Sequence, residues 1–279
     1  MDTNKVWFVT GASKGLGLAL VQTLVARGYK VAATSRKLEH LRTALGTAPN
    51  FLPLSVDIVN EENVANAVAK TIEKFGTIDV VVNNAGYGQL GTLEELTDKE
   101  SRENFDANVF GTLNIIRAVM PHLRAKKSGH IINISSIAGF LGAFPGWGIY
   151  NATKFAVAGL TEALSAEVKS LGIHATIVYP GYFKTNFLLQ GSLRLAEHPI
   201  PDYKEARDLE RVHQQDIPGN QPGDPAKAAL AFIQLAESEN PPLHFFMGSD
   251  AVNLAGNKIQ VLQSELAENN ALSKSTDFK

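Results

Sequence analysis

The most informative absence in this 279-residue chain is cysteine, of which there is none. Disulfides, catalytic thiolates and cysteine-ligated metal sites are therefore excluded. The chain also has no excess of positive charge, because 26 Lys and Arg residues are balanced by 28 Asp and Glu residues. Nucleic-acid-binding proteins usually carry such an excess. No apolar run reaches the roughly 18 residues that a membrane helix needs. We expect no nucleic-acid partner, membrane span or signal peptide, and we predict a soluble, cytoplasmic protein.

The apolar residues, 44% of the chain, follow a pattern that predicts a buried parallel sheet. Several short runs are continuously apolar instead of alternating, which is typical of strands that are covered on both faces. The predicted strands are residues 6–10, 31–34, 51–56, 79–83, 131–135, 175–179 and 244–247.

Helical patterns separate these strands. The predicted helices are residues 15–27, 38–45, 61–75, 98–124 with a bend near Gly111, 150–170 and 225–236. Asp224 and Pro225 are typical N-cap and first-position residues for the last helix. The alternation predicts an α/β fold, a doubly wound Rossmann-type parallel sheet of about seven strands with helices on both faces. Ligands of such sheets bind beyond the carboxyl ends of the strands.

A glycine-rich turn joins the first predicted strand to the first predicted helix, with the sequence Thr10-Gly11-Ala12-Ser13-Lys14-Gly15-Leu16-Gly17. Glycines allow a phosphate to approach the backbone closely, and the free N–H groups of the helix N-terminus would bind it. The spacing differs from the usual G-x-G-x-x-G, so a purely structural tight turn is the alternative.

The turn also fits the G-x-S-x-G elbow of α/β-hydrolases. That elbow follows several strands, whereas only one precedes this turn.

Tyr150 and Lys154 form a Y-x-x-x-K pair, whose members share one face of a helix. A nearby ammonium group favours the phenolate and lowers the pKa of a tyrosine, which is ordinarily near 10. A decrease of that pKa to about 7 requires roughly 4 kcal/mol of differential stabilisation. The spacing alone does not distinguish this pair from an ordinary amphipathic helix.

Further motifs accompany the pair in a defined order along the chain. They are Asn83-Asn84-Ala85-Gly86 after the fourth strand, Asn108 in the next helix, Ser135-Ser136 after the fifth strand, and Pro180-Gly181 with Thr185 after the sixth. In this order, from about residue 6 to residue 185, the chain resembles the compact single-domain branch of the short-chain dehydrogenase/reductase family. Beyond residue 185 it loosely resembles hydroxysteroid and retinol dehydrogenases. The resemblance implies hydride transfer with a nicotinamide cofactor.

The resemblance also implies roles for four catalytic residues. Tyr150 would protonate the carbonyl oxygen during reduction and act as the base in the reverse reaction. Lys154 would lower the pKa of Tyr150, helped by an oxidised nicotinamide, and would hold the nicotinamide ribose. Ser136 would donate a hydrogen bond to the substrate oxygen. Asn108 would hold a water in a proton relay to Lys154, although a helix-bending role is the alternative.

NADP(H) is the predicted cofactor. NAD enzymes place an acidic residue after the second strand, but that segment reads Ala33-Thr34-Ser35-Arg36-Lys37 here. Arg36 would pair with a 2′-phosphate, supported by Lys14 and Ser35; solvated surface charges are the alternative. The other predicted cofactor contacts are Gly11, Ser13, Gly15, Leu16, Gly17, Asp57, Ile58, Asn84, Ala85, Gly86, Tyr150, Lys154, Pro180, Gly181, Phe183 and Thr185.

The predicted substrate is a small apolar carbonyl compound or alcohol, namely a hydrophobic ketone, an aldehyde or a secondary alcohol. Aromatic residues occur on both segments that flank the nicotinamide in the resembling family, and these would form an apolar pocket. The predicted substrate contacts are Ser136, Phe144, Trp147, Tyr182 and Phe187, with Leu188 and Leu189 nearby. Packing of a lid onto the body is the alternative role for several of them.

We interpret residues 1–279 as a single dinucleotide-binding and catalytic domain. Residues 182–223 contain two Pro-Gly pairs and little periodicity. A segment of this kind inside a compact domain is typical of a functional lid, and we expect it to cover the substrate. Residues 251–279 predict a helical C-terminal extension.

Two further expectations concern the assembly and a rival function. We expect a homo-oligomer, with a dimer through helices 98–124 and 150–170. Segment 244–250 departs from the closing turn on which tetramers of the resembling family depend. The rival function is a non-catalytic NADP(H)-sensing regulator on the same fold, which would not need the four catalytic residues together. The seven histidines form no ligand-like pair, so we predict no metal site.

Overall fold

The computed structural model describes residues 3–188 and 191–278. The strands are Val6–Val9 (β1), Lys30–Ser35 (β2), Phe51–Ser55 (β3), Val80–Asn83 (β4), Gly88–Leu90 (β5), Gly129–Ile134 (β6), Ile173–Pro180 (β7), Leu193–Leu195 (β8) and His244–Met247 (β9). The α-helices are Gly15–Ala26 (α1), Leu38–Leu45 (α2), Glu61–Phe75 (α3), Asp98–Phe105 (α4), Gly111–Lys126 (α5), Gly148–Val168 (α6), Lys204–Arg211 (α7), Pro225–Glu237 (α8), Ser249–Glu268 (α9) and Asn270–Lys274 (α10).

Seven strands form one sheet in the order β3-β2-β1-β4-β6-β7-β9, and all of its pairings are parallel. This confirms the predicted α/β doubly wound fold. The chain runs outward from β1 to β3 and then returns to β4 on the other side of β1. The order therefore reverses between β1 and β4, and a ligand crevice is expected between the loops that follow these two strands.

The sheet is covered on both faces, which explains the continuous apolar runs of its strands. Trp7 and Val9 are fully buried in the cluster that contains Phe232 of α8. Phe8 points to the opposite face and packs in the cluster that contains Ile115 of α5. Successive residues of β1 thus serve two different cores, because side chains alternate across a strand.

The fourth predicted helix is interrupted near the expected bend. A π-helical turn at Asp106–Phe110 separates α4 from α5, and α5 begins at Gly111. A Cβ on Gly111 would lie 2.6 Å from the side chain of Ile58, so this position requires a glycine for close packing. The π-helical turn widens the helix by one residue per turn and carries Asn108.

The N-cap of α8 confirms a prediction from the sequence, and a second small sheet adds a feature that the sequence did not predict. Asp224 caps α8, because its carboxylate accepts a hydrogen bond of 2.8 Å from the N–H of Ala226. The strands β5 and β8 form a second, parallel two-stranded sheet that the sequence pattern did not indicate. This small sheet pairs the lid segment with the body. No helix among the described residues is long and apolar enough to span a membrane.

Candidate active site

A cavity of about 1010 Å³ lies across the carboxyl ends of β1, β2, β3, β4, β6 and β7. This volume is at the upper end of the range for small-molecule sites. Its wall includes the predicted residues Gly11, Ser13, Lys14, Gly15, Leu16, Ser35, Arg36, Asp57, Ile58, Asn84, Ala85, Gly86, Ser136, Phe144, Trp147, Tyr150, Lys154, Pro180, Gly181, Tyr182, Phe183, Thr185, Phe187 and Leu188. Among the predicted residues that the structure describes, Gly17 and Asn108 do not line it. Leu189 lies outside the described residues.

The glycine-rich turn has a conformation that only glycines adopt easily. Gly11 and Gly15 have φ angles of +65° and +60°, in the left-handed region. A Cβ on Gly11 would lie 2.7 Å from the Cα of Ala85, so the loops after β1 and β4 touch here. The turn therefore keeps an open backbone surface at the crevice between β1 and β4, a shape that fits a pyrophosphate at the N-terminus of α1.

Hydrogen bonds from the Asn84 side chain fix the shape of this turn. Its side-chain amide donates hydrogen bonds of 3.0 Å to the carbonyl oxygens of Thr10 and Gly11. The Thr10 hydroxyl in turn accepts from the backbone N–H groups of Asn84 and Ala85. Gly17 is buried below the turn, where a Cβ would lie 2.5 Å from the Asn84 amide nitrogen. We therefore place Gly17 among the residues that shape the turn, because its lack of a side chain makes room for Asn84.

Replacing Gly17 with alanine is expected to weaken binding of NADPH at least about tenfold, which corresponds to about 1.4 kcal/mol. The new methyl group would collide with the Asn84 amide and with the Gly11 carbonyl oxygen, 2.7 Å away. The check is a fluorescence titration of NADPH against wild type and variant. Gly256→Ala is the matched control, since it lies in α9 with no atom within 4 Å of the new methyl group. Unchanged NADPH affinity in Gly17→Ala would contradict the assignment.

Two cationic residues, Lys14 and Arg36, line the cavity near the end of β2. Partial burial and, in second place, the charge of Arg36 lower the pKa of Lys14. Neighbouring like charges disfavour each other's charged form, and a bound anion offsets this effect. The Lys14 ammonium also donates a hydrogen bond of 2.8 Å to the carbonyl oxygen of Gly191. His40 lines the same region and Ser35 is buried beside it, whereas Asp57 is exposed and accepts a hydrogen bond of 3.1 Å from the N–H of Val59. This end of the cavity thus favours a bound phosphate group.

Tyr150 and Lys154 lie on the buried face of α6, in the middle of the cavity. The Lys154 ammonium is 5.7 Å from the centre of the Tyr150 ring and donates a hydrogen bond of 2.9 Å to the carbonyl oxygen of Ile134. Burial raises the pKa of Tyr150 well above its usual value, an effect that a hydrogen bond with Ser136 opposes. Burial also lowers the pKa of Lys154 to about 8.

The pKa of Tyr150 thus moves in the direction opposite to the one that the sequence predicts for the working enzyme. The reason is that the prediction counted the ammonium of Lys154 and an oxidised nicotinamide, whereas the removal of the phenol from water opposes ionisation. The chain's own groups keep Tyr150 protonated. A lowered pKa in the presence of the oxidised cofactor stays a prediction.

The two serines after β6 have different partners. The Ser136 hydroxyl lines the cavity and accepts a hydrogen bond of 3.1 Å from the N–H of Ala138. The Ser135 hydroxyl is buried and donates a hydrogen bond of 2.8 Å to the carbonyl oxygen of Lys154. A Cβ on Gly139 would lie 2.1 Å from the Ser135 oxygen and 2.7 Å from that carbonyl oxygen. Ser135 and Gly139 therefore hold β6 close to α6 and place Ser136 beside Tyr150.

Asn108 lies behind the cavity wall. Its side-chain oxygen accepts a hydrogen bond of 3.0 Å from the N–H of Tyr87, and its amide nitrogen lies 3.0 Å from both the Tyr87 carbonyl oxygen and the Thr153 hydroxyl. Thr153 is the residue before Lys154 on α6. The structure therefore gives the Asn108 side chain a positioning contact with α6, and the predicted water relay stays a prediction.

The turn after β7 is held by a residue that the motifs did not include. The Asp250 carboxylate accepts a hydrogen bond of 2.7 Å from the N–H of Tyr182. A Cβ on Gly181 would lie 2.2 Å from the same carboxylate, which explains the need for glycine here. The Gly181 N–H also donates to the Met247 carbonyl oxygen at 2.9 Å. Asp250 carries no sequence signal of its own, because it is brought to Gly181 by the pairing of β7 with β9.

Aromatic side chains line the cavity beyond Tyr150. The ring of Trp147 lies 5.2 Å from the ring of Tyr150 and 5.0 Å from that of His213, measured between centres. His213 is buried in a π-helical turn of the lid, and its Nε2 lies 2.9 Å from the Tyr182 hydroxyl. His213 was not predicted, since a single histidine in an unpatterned segment gives no signal of its position.

Comparisons with known proteins agree with this geometry. The family model described as short chain dehydrogenase matches residues 5–192. The 3-ketodihydrosphingosine reductase of Bacteroides thetaiotaomicron is 35% identical over 246 residues, which are 88% of this chain and 88% of that protein. Among solved structures, a short-chain dehydrogenase from Streptomyces avermitilis is 38% identical, with a TM-score of 0.90 over 99% of this chain and 100% of that one.

A second similar solved structure is a complex with NADP. It is a short-chain dehydrogenase from Burkholderia cenocepacia in complex with NADP, which is 28% identical with a TM-score of 0.72 over 96% of this chain and 98% of that one. The family model covers well over half of the chain, and its match ends inside the lid segment. This chain is an oxidoreductase of the short-chain dehydrogenase/reductase family.

Proposed function

We propose that this protein is an NADP(H)-dependent carbonyl reductase or alcohol dehydrogenase with Tyr150 as its acid–base residue. The substrate would be a hydrophobic ketone, an aldehyde or a secondary alcohol. The observation that carries the proposal is the position of Tyr150, Lys154 and Ser136 in one cavity. On one side of them lie a glycine-rich turn and the cationic residues Lys14 and Arg36, and on the other lies an aromatic pocket.

The cavity residues fit the predicted cofactor. The turn at Gly11–Gly15 would hold a pyrophosphate at the N-terminus of α1. A Cβ at Gly11 would collide with the backbone of Ala85 and would distort the turn. Lys14 and Arg36 would hold the 2′-phosphate, and Lys154 would bind the nicotinamide ribose. The similar structure from Burkholderia cenocepacia is a complex with NADP, and this supports the assignment of the cofactor. When bound, the cofactor supplies the hydride.

The chain's own part of the reaction is to bind, polarise and protonate the carbonyl group. Ser136 and Tyr150 would both donate hydrogen bonds to its oxygen, where negative charge develops. Burial keeps the Tyr150 phenol protonated, which is the form that reduction needs. The reverse reaction needs the phenolate, which burial disfavours, and reduction is therefore the direction that we propose. The reductase name of the Bacteroides thetaiotaomicron relative supports this direction.

The proposed function is tested by following NADPH oxidation with a panel of carbonyl compounds, from small and polar to bulky and apolar. We expect turnover to rise with apolar bulk, because Trp147, Phe144 and Phe187 line the pocket. Tyr150→Phe serves as the blank. Binding of NADPH without turnover of any carbonyl compound, and of NADP without oxidation of any alcohol, would contradict the proposal and favour an NADP(H)-sensing regulator.

NADPH is expected to bind at least about tenfold more tightly than NADH, a difference of about 1.4 kcal/mol. The reason is the pair of cations at Lys14 and Arg36. Arg36→Ala should remove most of this preference, as measured by titration with both cofactors. Arg42→Ala is the matched control, since Arg42 is paired with Glu39 on the exposed side of α2. Equal affinities in the wild type, or tighter binding of NADH, would contradict the prediction.

The rate of reduction is expected to fall as the pH rises through about 8. Burial lowers the pKa of Lys154 to about 8, so its ammonium is charged below that pH and becomes neutral above it. Only the charged form stabilises negative charge on the reacting oxygens. The check is the pH dependence of kcat/KM with NADPH, with Lys154→Arg as the variant that keeps its charge. A flat profile up to pH 10 in the wild type would argue against this role.

We extend the proposal to the organisation of the protein. Residues 1–279 would form a single domain, with the lid at 182–223 and the extension at 251–279, in a cytoplasmic protein. The homodimer would form through helices 98–124 and 150–170. Phe110 and Phe155 support this, because they are about half exposed on the segments that would meet. A light-scattering mass equal to one chain would count against the dimer.

A further inference from the structure

Tyr182 and His213 form a hydrogen-bonded pair in the wall of the substrate part of the cavity. The Tyr182 oxygen lies 2.9 Å from Nε2 of His213, and His213 is only 4% exposed. Tyr182 is the first residue of the lid segment and lies just after β7, whereas His213 lies in the later part of the lid, after α7. The pair is therefore assembled only when the lid segment lies against the strand ends.

The backbone determines the direction of this hydrogen bond. Nδ1 of His213 lies 2.8 Å from the carbonyl oxygen of Leu209. A carbonyl oxygen can only accept, so Nδ1 carries the proton and donates it there. In the neutral imidazole Nε2 is then an acceptor. Burial lowers the pKa of His213, which favours this neutral form. The Tyr182 hydroxyl must consequently donate its proton to Nε2.

This arrangement leaves the Tyr182 oxygen with lone pairs and no proton to give to a ligand. The oxygen belongs to a cluster of mostly apolar side chains that includes Tyr150, Trp147 and Phe187. Tyr150 and Ser136, in contrast, are donors toward a carbonyl oxygen. The cavity thus combines donors for the reacting oxygen with an acceptor at Tyr182. An acceptor in such surroundings discriminates strongly between ligands that can donate to it and ligands that cannot.

We propose that Tyr182, oriented by His213, is a specificity-determining acceptor for a hydroxyl or N–H group that the substrate carries close to its carbonyl group. This inference rests on the proposed function and narrows its substrate class. The preferred substrate is an apolar carbonyl compound that has a hydrogen-bond donor near the carbonyl carbon. A plain ketone of the same size leaves the Tyr182 lone pairs without a partner when it displaces water.

A second tyrosine–histidine pair, between β7 and β9, serves as the internal control. The Tyr179 hydroxyl lies 3.2 Å from Nδ1 of His244, and their rings stack with centres 6.1 Å apart. Tyr179 and His244 do not line the cavity. Loss of the Tyr179 hydroxyl removes a similar hydrogen bond without touching the substrate, so Tyr179→Phe separates recognition from a general effect on β7.

The test measures kcat/KM with NADPH for matched pairs of ketones. One member of each pair carries a hydroxyl group one, two or three carbons from the carbonyl, and the other carries hydrogen there. We expect the best hydroxylated ketone to exceed its partner by at least about tenfold in the wild type and in Tyr179→Phe. In Tyr182→Phe the ratio should fall to near one. In His213→Phe it should also fall, because the Tyr182 hydroxyl then loses the partner that orients its lone pairs toward the ligand.

A binding measurement keeps this inference separate from the proposed function. Calorimetry on the protein saturated with NADP⁺ compares a diol with the matched alcohol. If ketones are reduced with a ratio near one in the wild type, the acceptor role of Tyr182 is wrong and the proposed function stands. If no ketone is reduced, yet the diol binds about tenfold more tightly and Tyr182→Phe abolishes the difference, the proposed function fails and the acceptor role stands. Equal binding of diol and alcohol, or a preference that survives in Tyr182→Phe, overturns the acceptor role.

Discussion

Tyr150→Phe is expected to lower kcat for carbonyl reduction by about 10²- to 10⁴-fold, which is the range for loss of a general acid. The change removes one hydroxyl group and keeps the ring that packs against Trp147 at 5.2 Å. The carbonyl oxygen would still receive a hydrogen bond from Ser136, but no group would be placed to give it a proton. Single-turnover and steady-state assays with NADPH and the best ketone of the panel measure the loss.

Binding of NADPH should survive this substitution, because the glycine-rich turn and the cations at Lys14 and Arg36 are not altered. The matched control is Tyr179→Phe, which removes a buried hydroxyl outside the cavity and should retain kcat within about twofold of the wild type. Retention of more than a tenth of the wild-type kcat by Tyr150→Phe would falsify the role of Tyr150 as the proton donor.

Glu95→Gln is expected to destabilise the protein by about 2–3 kcal/mol and to loosen the lid. The Glu95 side chain is fully buried and accepts hydrogen bonds from the N–H groups of Thr92, at 2.7 Å, and Ile200, at 2.6 Å. It also pairs with Arg207 of the lid helix α7 at 2.9 Å. Breaking a buried ion pair usually costs about 3–5 kcal/mol. The value here should be lower, because Arg207 is 26% exposed and keeps Glu210 as a partner.

The hydrogen bonds and the ion pair of Glu95 also make the free energy of unfolding depend on pH. Burial alone would raise the pKa of Glu95, but the hydrogen bonds from Thr92 and Ile200 and the charge of Arg207 lower it overall. A carboxyl group whose pKa is lower in the folded state stabilises that state above its usual pKa. This contribution is lost as the pH falls through the lowered pKa, so the difference between wild type and Glu95→Gln should shrink in acid.

Urea unfolding at neutral pH and limited proteolysis within residues 196–216 measure the two effects of Glu95→Gln. Glu39→Gln is the matched control, because it breaks only the exposed ion pair with Arg42, which is worth about 0–1 kcal/mol. Equal midpoints of unfolding for the two variants, together with an unchanged cleavage rate in the lid, would show that Glu95 does not anchor the lid.

The anchoring of the lid links stability to function. Arg207 lies on α7, six residues before His213 in the chain, so the Glu95 contact helps to place the Tyr182–His213 pair. Glu95→Gln should therefore also lower the preference for hydroxylated ketones in the matched-pair assay.

The features of the fold that the sequence predicted correctly depend on residue patterns within short segments of the chain. The apolar runs at β1, β4 and β6 are continuous because both sheet faces are covered, and this pattern is visible without the fold. Glycines at 11 and 15 are visible as a turn, and Tyr150 and Lys154 share a helix face through their spacing alone. The part of the cavity around the glycine-rich turn consists largely of such local motifs at strand ends, so many of its lining residues could be predicted, although His40 and Val59 were not.

The features that the sequence did not predict depend on contacts between segments that are far apart along the chain. The strands β5 and β8 have only three residues each and pair across more than a hundred positions, so neither has a periodic signal. Asp250, His213 and Glu95 are ordinary polar residues in the chain, and they gain a role only when β9 and the lid pack against the body. The pKa of Tyr150 is raised for the same reason. Burial depends on everything that surrounds a side chain, whereas the sequence shows only its neighbours along the chain.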